Sequence, residues 1–319
     1  MNSTSNRTPP TQELKILQQN INGSLIGQSA LFHQTQDAHI LAIQEPYISP
    51  STGLTIGTAG WTPIYPTGHQ HRPGVRVRSM IFMRSDLASD SWDILDIDHS
   101  DITAISIKCT FGRVRVFNIY NNGHNNSTLV SLKTFLKAFP RVTTHTNKSM
   151  DIILGDMNRH HPLWDEARNE HLFSERALKL AEMLTHLITK QDWAMALPHG
   201  MPTLEAFNSK NLTRPDNVFC SSDCIDRFIL CEARPNERPP RTDHFPIFST
   251  LDLMPETNEP EPKPDFRKVD WLKFRKSLSA GLDAIGLPGE VSSIDEFDQR
   301  LEILDNIILQ TTEQEVPML

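Results

Sequence analysis

The feature that most constrains the fold of this chain is a series of nine short apolar runs with the length and composition of β-strands. The runs cover Leu14–Ile21, His39–Gln44, Met80–Met83, Ile102–Cys109, Val114–Tyr120, Asp151–Leu154, Asn217–Cys220, Phe228–Cys231 and Pro246–Leu251. Helical patterns lie between some of them, at Ser24–Gln36, Thr128–Phe139 and Arg176–Gln191. Because strands and helices are mixed rather than strictly alternating, the pattern predicts an α/β (α+β) protein. We expect a four-layered sandwich of two packed β-sheets flanked by helices.

The composition divides the chain into four predicted segments. Residues 1–13 are polar and predicted to be disordered, and residues 14–253 carry all the strand-like runs. Residues 254–268 contain the stretch PETNEPEPKPD, which is too rich in proline and glutamate to form a regular helix and is predicted to be a linker. Apolar residues recur at helical spacing in residues 269–319, which predicts a C-terminal helical tail of two amphipathic helices.

The negative charge of the chain is concentrated in its tail. The chain has a formal charge of −8, and residues 255–319 hold 7 Lys/Arg and 14 Asp/Glu, which leaves 24 and 25 for residues 1–254. A nearly neutral main segment argues against a protein that binds nucleic acid chiefly through a large positive field. Clusters of arginine within residues 72–84 and 234–241 are local candidates for phosphate contact.

The cysteines and the terminal sequence indicate a soluble protein of a reducing compartment. The four cysteines have neither the paired spacing of a zinc site nor the density of a disulfide framework. The first residues lack the apolar segment of a signal peptide, and no apolar run approaches the roughly 20 residues that span a bilayer. We therefore expect an intracellular, nuclear protein with no membrane partner.

Polar side chains stand at the ends of several predicted strands, where hydrophobic patterning favours apolar or turn residues. Asn20 ends the first strand, and Glu45 follows the second. A carboxylate next to an apolar run is costly to desolvate, so it usually has a polar partner or a metal ion. In DIILGDMNRHHPLW, Asp156 and Asn158 follow an apolar run, and extended backbone would point both side chains to one face. Gly155 lets backbone or ligand approach closely.

An acid and an imidazole precede the last predicted strand. Asp243 and His244 are adjacent there, and such a pair can supply a metal ligand and a histidine that stabilises or protonates a phosphate oxygen. Asp216 precedes another apolar strand and is a candidate to orient this histidine. Tyr120, at a further strand end, can donate its hydroxyl to phosphate. Each signal is weak alone, but together they predict one polar site built from strand ends.

In this order along the chain, these residues resemble the endonuclease/exonuclease/phosphatase superfamily, which is DNase I-like. The motifs QQNING, AIQEPYI, FNIYNN, ILGDMNRHHPLW, RPDNVFCS and TDHFPI are similar to the endonuclease domain of non-LTR (LINE-type) retrotransposon polyproteins. The block with the double histidine and tryptophan is the most specific. The resemblance spans about residues 14–253, and DWLKFRKSL after the linker also resembles such elements.

The resemblance implies a metal-dependent DNA endonuclease that leaves a 3′-hydroxyl and a 5′-phosphate. Glu45 would bind the divalent cation with help from Asn20, and Asp243 would lie near it. The oxygen-rich ligands favour Mg²⁺, with Mn²⁺ as a substitute. The catalytic residues would be Asp156 and Asn158, which hold and activate water, His244 with its partner Asp216, and Tyr120. Substrate contacts are expected from Asn118, Thr203, Thr242, Arg72 and Arg241.

The residues leave other functions open. No segment resembles the catalytic motif of a reverse transcriptase, so we expect a truncated element, a fragment or a domesticated domain. One alternative is a catalytically inactive relic whose acidic helical tail binds a protein partner. Another is an enzyme of the same fold that acts on a different phosphoester, such as an abasic site, an RNA tail or a phospholipid head group.

Overall fold

All nine predicted strands and the three predicted helices of residues 14–253 are present in a computed structural model, which describes residues 13–35, 37–69, 74–144, 147–253, 264–286 and 289–317. The first sheet comprises β1 (Leu14–Asn20), β2 (Ile40–Gln44), β3 (Trp61–Ile64), β4 (Ser79–Arg84), β13 (Phe228–Ala233) and β14 (Ile247–Leu251). The second comprises β5 (Trp92–Leu95), β6 (Ile102–Cys109), β7 (Gly112–Tyr120), β8 (Lys148–Asp156), β9 (Trp193–Met195) and β12 (Asp216–Ser221). A short hairpin comprises β10 (Leu204–Glu205) and β11 (Leu212–Thr213).

Both sheets are mixed, and their strand orders bring distant segments side by side. The first sheet has the order β13-β14-β1-β2-β4-β3 and the second β5-β6-β7-β8-β12-β9. The parallel pair β1 and β2 is central in the first sheet, and the parallel pair β7 and β8 is central in the second. The ends of these central strands are where the polar motif residues stand.

Three apolar clusters show why the layers form. One lies between the sheets and includes Ile16 and Ile81 from the first and Val116 and Ile152 from the second. The helices α1 (Leu25–Gln34), α2 (Ser127–Ala138) and α3 (Glu175–Lys190) supply residues to the other two clusters, α1 with the first sheet and α2 and α3 with the second. The predicted four-layered sandwich is therefore confirmed.

The chain divides into two units, residues 1–257 and 258–319. The second unit contains the two expected tail helices, α4 (Trp271–Ile285) and α5 (Ile294–Glu315). The expected disordered start lies outside the described residues except for residue 13, and so does most of the expected linker, at residues 254–263. Among the helices that the structure describes, none is long and apolar enough to cross a membrane.

Gly155 has a close-packing role that the sequence predicted. Its φ is +138°, and a Cβ atom at this position would lie 1.9 Å from the carbonyl oxygen of Ile119 on β7. The two strands can pair through this point only because residue 155 has no side chain.

We expect Gly155→Ala to lower the free energy of unfolding by about 3 kcal/mol, because it adds both backbone strain and a steric clash. Urea denaturation measures this loss. Gly123→Ala is the matched control, since a Cβ atom there meets nothing within 4 Å. Equal stability of the two variants would contradict the proposed packing role.

The side chain of His39, which directly precedes β2, accepts a hydrogen bond from β1 and is neutral. Its Nδ1 accepts a hydrogen bond from the backbone N–H of Lys15 at 3.0 Å, so this nitrogen carries no proton. Burial, followed by the positive charge of Arg84, lowers the pKa of His39 to about 4. A protonated ring would lose the hydrogen bond and place its charge in a half-buried position.

The stabilising effect of neutral His39 should be complete above its unfolded pKa of 6.5, decline as the pH falls, and be lost below about 4. For this partly exposed ring we expect a change of about 1–2 kcal/mol after solvent screening. His39→Asn retains a hydrogen-bond acceptor but does not titrate. Unfolding free energies measured between pH 7 and 4 should fall more steeply for the wild type, and identical slopes would disprove this role.

Candidate active site

Polar side chains from both sheets meet at one end of the sandwich. Asn20 ends β1 and Asp156 ends β8, and the side-chain amide of Asn20 donates a hydrogen bond of 2.9 Å to Oδ2 of Asp156. Asp156 is also the register partner of Asp216, the first residue of β12. All three side chains are buried. The end of a central strand in each sheet therefore contributes to a single site.

His244 lies in this site and is held by Asp216. Its Nδ1 is 2.8 Å from Oδ2 of Asp216, and its backbone forms a bridge with Leu204 of the β10–β11 hairpin. Burial disfavours the charged imidazole, but the charge and hydrogen bond of Asp216, together with the charges of Asp156 and Asp243, outweigh burial and raise the pKa of His244 to about 9. The site therefore contains an imidazolium at neutral pH.

Asp156 is a buried carboxylate with few compensating donors. It accepts hydrogen bonds from the Asn20 amide and the backbone N–H of Asn158. Burial, followed by repulsion from Asp216, raises the pKa of Asp156 well above its ordinary value, although His244 and the two hydrogen bonds act in the opposite direction. A carboxylate of raised pKa is a stronger base, which suits a group that takes a proton from water.

Glu45 and Tyr120 complete the other side of the site. Glu45 follows β2 with a φ of +44°, and its half-buried carboxylate is paired with the exposed guanidinium of Arg76. Burial, then the charges of Glu45 and Asp156, raise the pKa of Tyr120 to about 12. The Arg78 guanidinium lies over the tyrosine ring, 4.7 Å from its centroid. Glu45, Tyr120 and Asp156 are thus neighbours.

The donor set fits a hard divalent cation. Carboxylate and amide oxygens predominate, and such oxygens are the ligands of Mg²⁺ in proteins. Asp156, Asp216 and His244 each offer a ligand atom within 4.8 Å of the others. Oδ1 of Asp216 is buried without a hydrogen-bond partner, so this oxygen is available to a ligand. His244 and Asp216 already bond each other. The Glu45 carboxylate is instead paired with the exposed side chain of Arg76, so it is the more accessible anionic ligand.

Asp243 lies at the solvent side of the site. Its Oδ1 is 3.9 Å from Nε2 of His244, and the side chain is partly exposed. The carboxylate therefore faces the imidazole nitrogen that is not bonded to Asp216. This position is compatible with the expected place near the cation and adjoins the group that would contact phosphate.

Three of the five expected substrate contacts are buried residues whose side chains are hydrogen-bonded within the protein. The Thr203 hydroxyl donates to Oδ2 of Asp216 and accepts from its backbone N–H, so it orients Asp216 and is closed to solvent. The Thr242 hydroxyl donates to the carbonyl of Asn20. Asn118 is fully buried and bonds the carbonyls of Ile43 and Met80, so it joins the two sheets.

The other two expected contacts are arginines. Arg241 is exposed in the loop before Thr242, with a φ of +64°. Arg72 lies outside the residues that the structure describes.

Asn158 reaches the site by a turn rather than by extended backbone. β8 ends at Asp156, and Asn158 has a φ of +48°. Its side-chain amide donates to the carbonyl of Asn121 at 3.0 Å. The expectation of an extended i, i+2 pair was therefore wrong. A side-chain-to-backbone turn, in which Asp156 accepts the N–H of Asn158, competes with continued strand geometry.

Two buried arginines support the site and were missed from the sequence. Arg159 donates to the carbonyls of Asn122, Asn125 and Leu180, which ties the loop after β7 to the turn after β8. Arg214 donates to the carbonyl of Leu197 and stands two residues before Asp216. Each arginine lies inside one of the sequence motifs, which was the only hint of its role. The sequence around a buried arginine does not differ from that around an exposed one, so their burial could not be predicted.

The arrangement can bind and polarise a phosphate group. It combines a protonated histidine, a phenol hydroxyl, a basic carboxylate and further oxygen ligands at one rim. Charged donors placed where negative charge develops can stabilise a transition state, and a positioned carboxylate can orient and deprotonate water.

Comparisons with known proteins agree with this fold. The family described as endonuclease-reverse transcriptase matches residues 114–248, whereas no curated protein matches the chain. The endonuclease domain of TRAS1, a telomere-specific non-LTR retrotransposon, is similar with a TM-score of 0.56 and 17% identity, over 75% of this chain and 98% of that domain. AP endonuclease LMAP from Leishmania major gives 0.58 and 14%, over 76% and 89%. The Xenopus laevis APE2 catalytic domain gives 0.56 and 15%, over 77% and 94%.

Proposed function

We propose that this chain is a divalent-metal-dependent DNA endonuclease derived from a retrotransposon, because residues 114–248 match the family described as endonuclease-reverse transcriptase and the chain has a DNase I-like fold. The observation that carries the proposal is the convergence of Asp156, Asp216 and His244 within one buried cluster, next to Glu45 and Tyr120. We assign the activity to residues 14–253, followed by a linker at residues 254–268 and a helical tail at residues 269–319. A DNA substrate also supports the expected nuclear location.

The proposed cation site comprises Glu45 and Asn20, with Asp243 nearby. When bound, Mg²⁺ or Mn²⁺ would neutralise charge on the scissile phosphate. For the Glu45 carboxylate to bind the cation, it must first separate from Arg76, and the Arg76 side chain is exposed enough to move aside. The released guanidinium would then be free to contact a phosphate of the substrate.

The remaining residues perform the hydrolysis. Asp156 orients a water molecule and accepts its proton, while Asn158 helps to hold that water. The water oxygen bonds to phosphorus as the bond to the 3′ oxygen breaks, and the 3′ oxygen takes a proton from solvent water. His244 and Tyr120 donate hydrogen bonds to phosphate oxygens as their negative charge rises. Asp216 and Thr203 hold the imidazole in position.

Nicking of supercoiled plasmid DNA tests the proposal. Purified protein should convert the plasmid to the open-circular form with Mg²⁺ or Mn²⁺, and excess EDTA should stop the reaction. A DNA polymerase should extend the nicks directly, because they carry a 3′-hydroxyl. Duplexes with one abasic site provide a second arm, since the similar LMAP protein of Leishmania major is an AP endonuclease by name. No cleavage of either substrate with any divalent metal would refute the proposal, and cleavage only at abasic sites would change the substrate.

A further inference from the structure

The loop between β7 and α2, here called the asparagine loop (residues 121–126), borders the candidate active site. Its sequence is NNGHNN. Asn121 directly follows Tyr120, and its carbonyl accepts the side-chain amide of Asn158 at 3.0 Å. The proposed hydrolysis uses Tyr120 and Asn158 but no residue of this loop, although residues 123–125 are exposed to solvent beside them.

A buried positive charge lies beneath the asparagine loop. Arg159 is 2% exposed, and its guanidinium donates to the carbonyls of Asn122 and Asn125. It also donates to Oδ1 of Asn126. No carboxylate forms an ion pair with this guanidinium among the described residues, and Asp156 acts on it only at longer range. Burial lowers the pKa of Arg159 to about 10, so the side chain is charged at neutral pH and lacks a paired anion.

The contacts of Arg159 also fix the direction of two backbone N–H groups. The carbonyls of Asn122 and Asn125 point toward the guanidinium, and the described chain has no cis peptide bond. In a trans peptide, the N–H of the next residue points opposite to the carbonyl. The N–H groups of Gly123 and Asn126 therefore point away from the guanidinium. Neither has a hydrogen-bond partner among the residues that the structure describes.

Three side-chain amides of the loop are left with free donors as well. Oδ1 of Asn122 and Oδ1 of Asn125 each accept the backbone N–H two residues later in the chain. Oδ1 of Asn126 accepts from Arg159. Because every one of these donors is an N–H group, the atom that it meets must be the amide oxygen. The three NH2 groups have no partner in the described part of the chain, so the loop presents donors and no acceptors of these amides.

We propose that the asparagine loop binds a phosphate group of the DNA backbone next to the scissile phosphate, an inference that rests on the proposed nuclease function. Two backbone and three side-chain donor groups above an unpaired cation suit a ligand that has several acceptor oxygens and a negative charge. A phosphodiester has both properties. The edge of a base carries no charge, so it would leave the guanidinium uncompensated.

The loop would act as a positioning element. Phosphate contacts fix the register of a protein on DNA, and a strand held one phosphate away from the cut limits the motion of the scissile group. All the printed contacts of the Arg159 guanidinium are to protein oxygens, so it acts on the bound phosphate through its charge alone.

Asn125→Asp tests the donor groups while keeping the turn. The carboxylate retains the oxygen that accepts the Ser127 N–H, but an anionic oxygen replaces the NH2 donor. We expect DNA binding to weaken about 10-fold or more, because a hydrogen bond to phosphate is replaced by repulsion. Fluorescence anisotropy with a DNA duplex and Ca²⁺ in place of Mg²⁺ measures the dissociation constant. Asn122→Asp is a second variant of the same design and should behave alike.

Asn147→Asp is the matched control. Asn147 is exposed and directly precedes β8, whereas Asp156 ends this strand, so the same change of charge is made at the opposite end of the sheet. This variant should bind DNA like the wild type. Thermal unfolding identifies any variant that fails to fold.

The nicking kinetics separate strand positioning from damage to the catalytic residues. For Asn125→Asp the single-turnover rate at saturating protein should remain within about twofold of the wild type, while the protein concentration that gives half of this rate rises. A lower rate at saturation with unchanged DNA affinity would mean that the loop only supports Tyr120 and Asn158, and would overturn the proposal.

An uncharged methylphosphonate linkage identifies the phosphate that the loop contacts. After the wild-type cut is mapped on a duplex, the linkage is placed on its 5′ side and on its 3′ side in turn. One of these duplexes should bind the wild type about 10-fold more weakly but have little further effect on Asn125→Asp, which has already lost the contact. Equal effects on both proteins at both positions would overturn the inference.

The two proposals fail in distinguishable ways. A wild type that nicks DNA, with Asn125→Asp binding DNA as tightly as Asn147→Asp does, would overturn only the role of the asparagine loop. A wild type that neither binds nor cuts DNA would refute the nuclease function and this inference with it.

Discussion

Asp156→Asn is expected to lower the rate of DNA nicking by about 10³-fold or more. The carboxamide is nearly the same size and keeps hydrogen-bonding capacity toward Asn20, but it cannot accept a proton from water at neutral pH. General-base catalysis contributes roughly 10²–10⁴-fold, and the lost negative charge would also weaken binding of the cation. Single-turnover nicking at saturating protein measures the chemical step, so that a change in DNA affinity does not obscure the result.

The same substitution should leave the protein about as stable as the wild type, because the relief of a buried charge offsets the hydrogen bond that the Asn158 N–H loses to the new NH2 group. Burial and the neighbouring Asp216 raise the pKa of Asp156, so the ionised carboxylate opposes folding at neutral pH. Removing the charge relieves this cost, as expected where function requires a strained site. Thermal unfolding measures stability, and Asp226→Asn, at an exposed position, is the control. Full activity of Asp156→Asn would exclude the proposed role of Asp156 as the general base. A large loss of stability would mean that the lower nicking rate reflects unfolding rather than catalysis.

His244→Ala is expected to lower the nicking rate by about 10²–10³-fold, because it removes a charged donor to the phosphate oxygens. Asp216→Asn should have a smaller effect, since it keeps the imidazole but weakens the interaction that holds it charged. His186→Ala, at an exposed position on α3, is the matched control and should retain wild-type activity.

The pH profile separates catalysis from a structural role of His244. The raised pKa of about 9 keeps the imidazole charged at neutral pH, and the charge is lost as the pH rises through that value. Wild-type nicking should therefore decline above about pH 9. In Asp216→Asn the pKa of His244 falls, so the decline should begin at lower pH. An unchanged alkaline limb in this variant would contradict the proposed pairing.

The sequence predicted the central strands well because their apolar runs are long and buried. β3 and β5 are four residues long and lie at sheet edges, where exposed residues such as Thr62 and Asp93 break the pattern. The β10–β11 hairpin has two residues in each strand, too few for any periodicity. Short edge strands can therefore be identified only once the strands that pair with them are known.

The polar residues of the site were predicted from their places at strand ends, but the sequence could not determine where each side chain points. Asn118 is in the same strand as Tyr120, yet it lies between the sheets and bonds backbone carbonyls. Thr203 supports Asp216 because the β10–β11 hairpin between them returns the chain to Thr203, a contact that no local pattern encodes. Residue type and position thus predicted that Asp156, Asp216 and His244 lie close together, while the direction of each side chain depended on tertiary packing.

A crystal structure with Mn²⁺ and an uncleavable phosphorothioate DNA duplex tests most directly whether these residues act on one phosphate. We predict anomalous density for Mn²⁺ against the Glu45 carboxylate, with one phosphate group within reach of this ion, His244 and Asp156. Binding of the ion away from Glu45, or of the phosphate out of reach of His244, would contradict the account.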